Sequence, residues 1–455
     1  MKNQLIRIVC IFSFLFFIYN IAVGKPTFRE KIGQMVMIGF AGTTVPDSLA
    51  YDLNMRNLGG VLLFGSNCQN PTQIADLTES IKSLAETPPL IAIDQEGGRV
   101  ARLGAYNGFS STPSAFQLGS TYNLEDSTRQ TAARMAGWLS TCGINVNLAP
   151  VVDVNVNRQS PAIGAKDRSF SSDPMTVARH ASWFIDEFHQ REILMALKHF
   201  PGHGSAEDDS HLGFTDISQT WTSSELTPYE ELFSQGFDDM VMVGHLFNSN
   251  IDSVYPASLS RNAISGLLRD SLGYGGVVIS DELFMRAITD TFSLKETVTL
   301  AVNAGMDILL FNTNLYDGRS LTAVVSDIII EQIRDDVIDS ARIEESFQRI
   351  MALKERSNGV VKKILPTTPD RYELDVYPNP FNAQSFVSFA VPRFGRVKLS
   401  IYNLLGQKVS SLMDANMIPG NYRQQIDAGN LASGVYFITL ETPERLFSRL
   451  ITVVK

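Results

Sequence analysis

Cysteine is scarce in this sequence: 455 residues contain only three, at positions 10, 68 and 142. So few thiols exclude the dense disulfide framework that stabilises many small secreted domains. The C-x-x-C and H-E-x-x-H motifs that are typical of zinc sites are missing as well. We therefore expect no disulfide framework, no metal ion and no other cofactor.

Positive charge is also in short supply. Lysine and arginine total 38 against 48 aspartates and glutamates, which gives a formal net charge of -10 without any basic block. This balance argues against a nucleic-acid partner, whose phosphates require clustered basic side chains. With 44% hydrophobic and 19% charged residues, the composition is that of a globular protein, so disorder across the whole chain is excluded. We expect a neutral small molecule or a glycan as the ligand.

A long hydrophobic run lies at the N-terminus, which reads MKNQLIRIVCIFSFLFFIYNIAVGKP. Basic residues precede the apolar stretch, and Ala22-Val23-Gly24 offers small residues for cleavage, as in a secretory signal peptide. A retained membrane anchor is the alternative. Cleavage after residue 24 would remove Cys10 and leave Cys68 and Cys142, and the sequence alone leaves open whether these two pair.

Short apolar runs alternate with amphipathic helical stretches between residues 30 and 311. Parallel strands that are buried on both faces have this pattern, and eight runs match the eight strands of a (β/α)8 barrel of the α/β class. A doubly wound sheet is the alternative. The runs are MVMIGF (35–40), GVLLF (60–64), LIAID (90–94), NVNLAPVVDV (145–154), ILMALKHF (193–200), MVMVGH (240–245), GVVISD (276–281) and DILLF (307–311).

Polar residues stand at or near the ends of five of these runs. Barrel enzymes place their catalytic groups at the carboxyl ends of the strands, where the following loops converge. One polar residue there would only mark the start of a loop, but five such positions predict an active site. The residues are Asp94, Asp153, the pair Lys198-His199, His245 and Asp281.

The densest group of reactive side chains is the segment ALKHFPGHGSAEDDSH, residues 196–211, which holds three of the six histidines. Its proline and two glycines favour a loop that leaves the fifth strand. Asp209 lies two residues before His211 and can accept one ring N–H, which raises the basicity of the other nitrogen. This arrangement predicts a proton-transfer group. A metal site built from Asp209 and the three histidines, or histidines that only satisfy buried polar groups, are the alternatives.

Asp281 in GVVISDELFM ends an apolar run, so we expect its carboxylate at the mouth of the barrel. A carboxylate there can attack an anomeric carbon and form a glycosyl-enzyme intermediate. An N-cap for the following helix is the alternative role. Glu282 is the weaker candidate nucleophile because adjacent strand residues face opposite ways.

The segment IDQEGGRVARL, residues 93–103, contains charged groups that can form hydrogen bonds with sugar hydroxyls. Asp94 can accept two hydrogen bonds from hydroxyls and Arg102 can donate others, although a structural ion pair between them is the alternative. The segment GAKDRSFSSDP adds Arg168 in a loop after the fourth strand, which is a weak signal by itself.

Together, IDQEGGRVARL, KDRSF, KHFPGHG followed by DSH, and ISDELFM resemble glycoside hydrolase family 3, in its β-N-acetylglucosaminidase branch. The resemblance covers roughly residues 28 to 355. It implies a retaining, two-step mechanism in which Asp281 is the nucleophile and His211, oriented by Asp209, is the general acid and then the general base. It also implies sugar-binding roles for Asp94, Arg102, Arg168, Lys198, His199 and His245.

Two positions depart from the pattern of the family. Glu282 stands where a second aspartate usually follows the nucleophile, which is a mild chemical change. Gly213-Phe214 follows the Asp-His pair where some relatives have a proline segment. This second difference bears on loop closure and on the preference for the leaving group, not on the reaction.

Beyond residue 357 the pattern changes. Residues 358–372 read as a linker, and residues 373–455 alternate apolar and polar positions with glycine turns, which predicts a small antiparallel β-sandwich. The motifs DVYPNPFN, SIYNLLGQKV and LASGVYFITL resemble the C-terminal sorting domain of type IX secretion substrates. An accessory carbohydrate-binding sandwich is the alternative.

These observations predict four segments: a signal peptide (1–24), a hydrolase barrel (25–357), a linker (358–372) and a sorting domain (373–455). The expected protein is a β-N-acetylhexosaminidase that is secreted or displayed on the cell surface and acts on an oligosaccharide or muropeptide containing N-acetylglucosamine (GlcNAc). Its tail would engage the secretion machinery. A β-glucosidase or β-xylosidase of the same family, a phosphorolytic variant and a glycan-binding protein without catalysis are the alternatives.

Overall fold

A computed structural model of the chain describes residues 26–357, 362–364, 372–382, 384–393, 395–417, 420–429 and 431–454. The predicted signal peptide and most of the predicted linker lie outside these ranges. In the described part of the chain, no helix is both long and apolar enough to cross a membrane.

Eight parallel strands form the centre of the first folded unit. The first seven pair in chain order, and the eighth pairs with the first. A parallel bridge between Ile279 and Ile308 joins the seventh strand to the eighth and closes the ring. The predicted (β/α)8 barrel is confirmed, and the doubly wound alternative is wrong. The strands are β1 (Val36–Gly39), β2 (Gly60–Leu63), β3 (Leu90–Ile93), β4 (Val146–Asn147), β5 (Leu194–Phe200), β6 (Met240–Val243), β7 (Val277–Ser280) and β8 (Leu309–Phe311).

Every residue of these eight strands is buried, because side chains fill the barrel on one face and pack under helices on the other. The fourth run is where the sequence and the structure differ most. Residues 145–154 read as one long strand, yet β4 covers only Val146–Asn147. Pro150 has no N–H to donate, so regular pairing stops before it, and Val151 makes only an isolated bridge to Lys198.

Helices surround the barrel, and several begin at residues whose side chains cap the first turn. Thr27 and Ser293 form capping boxes with Glu30 and Glu296, and Asp173 caps the helix that starts at Pro174. The α-helices are Phe28–Gln34, Asp47–Met55, Pro71–Ser83, Glu125–Thr141, Pro174–His189, Thr227–Ser234, Arg286–Thr289, Leu294–Ala304, Leu321–Arg334 and Ser340–Ser357, and Gln117–Tyr122 and Asn262–Ser271 are π-helical.

Asp307 fastens the amino-terminal end of the barrel, opposite the strand ends that carry the predicted site. It precedes β8, is fully buried, and accepts hydrogen bonds from Arg269 and Arg342 at 2.6 Å each and from Arg349 at 3.2 Å. The backbone N–H of Val278 in β7 donates to it at 3.0 Å. One carboxylate therefore ties two helices to two strands.

The two cysteines within the described residues, Cys68 and Cys142, are free and buried. Burial raises the pKa of the Cys68 thiol to about 12 and that of Cys142 to about 11. Both thiols therefore stay protonated and pack as small apolar side chains.

The second unit consists of two four-stranded sheets. Val387 and Phe389 from one sheet share a buried core with Val397 and Leu399 from the other, so the sheets pack face to face. The predicted antiparallel sandwich is confirmed. Its first strand comes from residues that were predicted to be part of the linker. The strands are β9 (Lys362–Ile364), β10 (Glu373–Tyr377), β11 (Gln384–Val391), β12 (Gly395–Asn403), β13 (Lys408–Met417), β14 (Gly420–Asp427), β15 (Gly434–Glu441) and β16 (Leu446–Val453).

Candidate active site

The carboxyl ends of the barrel strands bring the predicted site residues together. Asp94 directly follows β3, Lys198 and His199 lie in β5, and Asp281 directly follows β7. His245 follows β6 by two residues. Because parallel strands in a barrel all end at the same rim, these side chains converge on one mouth.

Glu96, a residue that the sequence analysis did not single out, lies at the centre of a chain of ion pairs at this mouth. It is 6% exposed, and its two oxygens accept hydrogen bonds from Arg168 at 2.9 and 2.7 Å. Lys198 Nζ lies 2.7 Å from the same carboxylate. Burial alone raises the pKa of Glu96, but the charges of Arg168 and Lys198 outweigh it and hold that pKa far below its usual value. Glu96 is therefore ionised and fixes both cations.

Asp94 extends this chain toward the solvent. Lys198 Nζ donates to its Oδ1 at 2.7 Å and Arg102 donates to its Oδ2 at 3.2 Å. Burial raises the pKa of Asp94, whereas the charges of Lys198 and Arg102 lower it, and the net shift is downward. The side chain remains 16% exposed. The ion pair that the sequence offered as an alternative therefore exists, and it leaves the carboxylate within reach of a ligand hydroxyl.

Asp153 and His199 form the other end of the chain. Fully buried Asp153 lies 2.7 Å from His199 Nδ1 and accepts the backbone N–H of His199 at 3.1 Å. His199 Nε2 lies 3.2 Å from an Arg168 nitrogen. Since arginine can only donate, Nε2 is the acceptor and Nδ1 carries the proton. The imidazole is thus held in one tautomer and one orientation.

The loop after β5 is anchored under the mouth by close backbone contacts. A Cβ on Gly204 would lie 1.7 Å from the carbonyl oxygen of Val154, so only glycine fits there. Buried Glu225 accepts the N–H of Gly204 at 3.1 Å, and burial raises the pKa of Glu225 to about 7. No sequence motif indicated this role for Glu225, because it lies 21 residues from Gly204.

His203 links this anchor to the outer part of the loop. Its backbone N–H donates to Asp153 at 2.8 Å, and its Nε2 lies 3.2 Å from the Ser210 hydroxyl. Burial lowers the pKa of His203 to about 4, so the ring is neutral at physiological pH. His203 therefore supports Ser210, the residue between Asp209 and His211.

Asp209 and His211 form the predicted local pair. Asp209 Oδ1 lies 2.7 Å from His211 Nδ1 and accepts the backbone N–H of His211 at 3.1 Å, while Lys166 donates to Oδ2 at 3.0 Å. The hydrogen bond to Asp209 is the main cause that raises the pKa of His211, and the charge of Asp281 adds to it. His211 is exposed, so its Nε2 can meet a ligand while Nδ1 is held by the carboxylate.

Asp281 lies at the mouth within the electrostatic range of His199, His211 and His245. Burial raises its pKa, but these histidines and the N–H of Glu282, at 2.8 Å from Oδ1, lower it below its usual value. The carboxylate is therefore ionised, which is the form that nucleophilic attack requires. The neighbouring Glu282 differs from Asp281 in its contacts, because its Oε1 accepts hydrogen bonds from two backbone N–H groups, those of Phe284 at 2.9 Å and Asn312 at 3.1 Å.

His245 has both ring nitrogens engaged within the protein. Nδ1 lies 2.7 Å from the Ser258 hydroxyl and Nε2 lies 2.8 Å from the carbonyl oxygen of Glu282. A carbonyl can only accept, so Nε2 carries the proton. These contacts place His245 against the backbone that follows Asp281.

The described residues contain no group of three or more histidine, cysteine, aspartate or glutamate side chains that could hold a metal ion. The arrangement has the groups that acid-base and nucleophilic chemistry requires: an ionised carboxylate and an imidazole oriented by a second carboxylate. A charged array accompanies them, formed by Asp94, Glu96, Arg102, Arg168 and Lys198.

Residues 27–353 match the family model described as "Glycosyl hydrolase family 3 N terminal domain". The chain belongs to glycosyl hydrolase family 3. This finding confirms the resemblance drawn from the four motifs and the prediction of a glycoside hydrolase.

Among curated proteins, the family 3 chain is 32% identical over 368 residues to β-hexosaminidase A of Pseudoalteromonas piscicida, which covers 72% of this chain and 61% of that protein. It is 39% identical over 266 residues to a β-hexosaminidase of Tolumonas auensis, covering 58% of this chain and 78% of that protein.

A solved family 3 structure, a β-N-acetylglucosaminidase from a Paenibacillus species, superimposes with a TM-score of 0.68 at 33% identity and covers 73% of this chain and 63% of that chain. The β-N-acetylhexosaminidase of Beutenbergia cavernae gives a TM-score of 0.67 at 27% identity and covers 73% of this chain and 99% of that one. Residues 375–453 match a second model, described as "Secretion system C-terminal sorting domain".

Proposed function

We propose that this family 3 member is a retaining β-N-acetylhexosaminidase that releases terminal, non-reducing, β-linked GlcNAc. The observation that carries the proposal is the Asp209-His211 pair on the loop beside the ionised Asp281. The relatives named β-hexosaminidase and the superimposed β-N-acetylglucosaminidase support the choice of sugar.

In the first step, Asp281 attacks the anomeric carbon of the bound sugar. The bond to the leaving oxygen breaks as His211 Nε2 gives its proton to that oxygen. The carboxylate of Asp209 stabilises the imidazolium before the transfer and keeps Nε2 aimed outward. The products of this step are a glycosyl ester on Asp281 and the released alcohol.

In the second step, water attacks the same anomeric carbon. Neutral His211 accepts the proton of the water, and the ester bond to Asp281 breaks. Two inversions at one carbon give retention, and the enzyme returns to an ionised aspartate and a protonated histidine. The carbon exchanges one oxygen for another, so the reaction needs no cofactor.

The charged array holds the sugar. Asp94 accepts from hydroxyl groups, and Arg102, Arg168, Lys198 and His199 complete a surface that is already oriented by Glu96 and Asp153. Such preorganisation lowers the cost of aligning the anomeric carbon with Asp281. We assign His245 a positioning role, because both of its nitrogens are occupied and it supports the backbone of Glu282.

Hydrolysis of p-nitrophenyl β-GlcNAc, compared with the β-glucoside and the β-xyloside, tests the proposal. We expect kcat/KM to be highest for β-GlcNAc and the released sugar to appear first as the β-anomer in proton NMR. A preference for the glucoside or xyloside, or first release of the α-anomer, would overturn it. Absence of turnover in a folded protein would favour the glycan-binding alternative.

We also propose that the protein is exported, with residues 1–24 as signal peptide, 25–357 as the hydrolase and 373–455 as the part that engages the secretion machinery. The match of residues 375–453 to a sorting domain supports this division. The predicted location is outside the cell or on its surface.

A further inference from the structure

A pair of aromatic rings, one exposed and one half-buried, includes a residue of the loop that carries the proposed acid/base. Phe214 follows His211 by three residues, and 59% of it is exposed. Its ring packs on that of half-buried Phe247, with 5.3 Å between centroids and 42° between planes. A single exposed apolar residue is ordinary, but two rings in contact beside a catalytic group form a surface that a ligand can cover.

Two connections fix this pair next to the site. On one side, Phe214 shares the loop that carries His211. On the other, Phe247 follows His245 by two residues, and His245 Nε2 donates to the carbonyl oxygen of Glu282, the residue after Asp281, at 2.8 Å. The two rings therefore come from two different segments, one that carries His211 and one that carries His245, and they meet each other.

The backbone around the rings is ordered. Thr215–Asp216 pairs in parallel with Leu246–Phe247, and the N–H of Ile217 donates to the carbonyl of Phe247 at 2.9 Å. Beneath this pair, Ile217 and Leu246 form a small buried core with Ala206. Backbone hydrogen bonds and this small core therefore hold the segments that carry the two rings, while the outer faces of the rings are in contact with solvent.

The chemistry of the first step indicates which part of a ligand would contact these ring faces. His211 must touch the oxygen of the bond that breaks, so the group on the far side of that oxygen, the leaving group, lies next to His211. An aromatic face matches the apolar C–H face of a pyranose ring, while the hydroxyls of the sugar remain in water.

We propose that Phe214 and Phe247 form a binding platform for the leaving sugar, and that its occupant is the second GlcNAc ring of a β-linked oligosaccharide. This inference rests on the proposed function. It deepens that function by assigning the preference for the leaving group to two named aromatic residues, one of them on the loop that carries His211.

A comparison of kcat/KM for chitobiose and methyl β-GlcNAc distinguishes the effect of the platform from the effect of the rest of the site. Both have poor leaving groups that need the proton of His211, but only chitobiose places a ring beyond the broken bond. We expect Phe214→Ala to lower the ratio of kcat/KM for chitobiose to kcat/KM for the methyl glycoside by about 3- to 10-fold. Phe214→Tyr, which keeps the ring, should retain the wild-type ratio, and Phe214→Leu should behave like alanine.

Leu212→Ala is the matched control, since Leu212 is 71% exposed on the same loop but has no ring. It should keep the wild-type ratio. An unchanged ratio in Phe214→Ala would overturn the platform while leaving the proposed function intact. The platform would also be overturned if Phe214→Ala lowered kcat/KM equally for both substrates, or if Leu212→Ala lowered the ratio as much as Phe214→Ala does. If the wild-type protein cleaves neither substrate, the proposed function fails and the platform with it.

Discussion

At the scale of single residues, the hydrogen bond between Asp209 and His211 sets the pH range of the proposed reaction. His211 must be protonated to donate in the first step, and Asp209 is the main cause of its raised pKa. Activity should therefore persist above the usual histidine range and fall as pH rises through the raised pKa. Asp209→Asn removes the charge that stabilises the imidazolium, so the alkaline limb of kcat/KM should move to lower pH.

The pH profile of kcat/KM for chitobiose measures this shift. Asp208→Asn serves as the control, because Asp208 is the exposed neighbour in the sequence and should leave the limb in place. If both variants keep the wild-type alkaline limb, Asp209 does not set the pKa of the acid.

Removal of His211 should affect substrates according to their leaving groups. His211→Ala should lower kcat on chitobiose by about 10²- to 10⁴-fold, because that leaving group needs a proton. The first step with an activated dinitrophenyl glycoside needs little protonation, so its pre-steady-state rate should suffer far less. Equal damage to both substrates would show that His211 does not act as the acid.

The sequence predicts contacts at this scale only when they are local. Asp209 and His211 are two residues apart, so their pairing could be inferred from DDSH alone. Glu96 and Arg168 are 72 residues apart, and Asp153 and His199 are 46 apart, so only the closed barrel brings them together. Glu96 lay in a quoted motif, but nothing in its neighbourhood indicated which cations it would hold.

At the scale of elements, Asp307 joins strands and helices at the end of the barrel remote from the proposed chemistry. Asp307→Ala would leave Arg269 and Arg342 without their buried counter-charge. We expect the free energy of unfolding to fall by about 3 to 5 kcal/mol. Urea unfolding followed by tryptophan fluorescence reports on the barrel alone, because all three tryptophans, at positions 138, 183 and 221, lie in it.

Asp327→Ala is the matched control for this measurement. Asp327 also pairs with two arginines, Arg29 and Arg319, but its side chain is 47% exposed. Its removal should cost no more than about 1 kcal/mol, because solvent screens such pairs. An equal loss in the free energy of unfolding for the two variants would show that buried Asp307 stabilises the barrel no more than exposed Asp327 does.

The existence of the elements was easier to predict than their limits. Eight buried apolar runs gave the eight barrel strands, since a strand covered on both faces needs no polar alternation. The run at residues 145–154 ends early as a strand because of Pro150, and Lys362–Ile364 pairs with β14 although its segment reads as a linker. Pro150 is visible in the sequence and accounts for the first difference, whereas the second depends on long-range backbone pairing, which composition does not encode.

At the scale of the whole molecule, the proposed chemistry and the proposed export signal lie in different parts of the chain. All proposed catalytic and sugar-binding residues fall between Asp94 and Asp281. Deletion of residues 373–455 should therefore leave kcat/KM within about twofold, because it removes none of these residues. The shortened protein should accumulate in the periplasm, and equal secretion of both forms would refute the sorting role.

The central claim is that Asp281 becomes covalently bound to the sugar, and peptide mapping of a trapped intermediate tests it most directly. A fluorinated GlcNAc analogue with an activated leaving group should form the ester quickly and release it slowly. After rapid acid quenching and digestion, mass spectrometry should find one sugar on the peptide with Asp281, fragmentation should assign it to that side chain, and Asp281→Asn should carry none. A sugar on Glu282 or another residue, or turnover of the analogue without any adduct, would contradict the account.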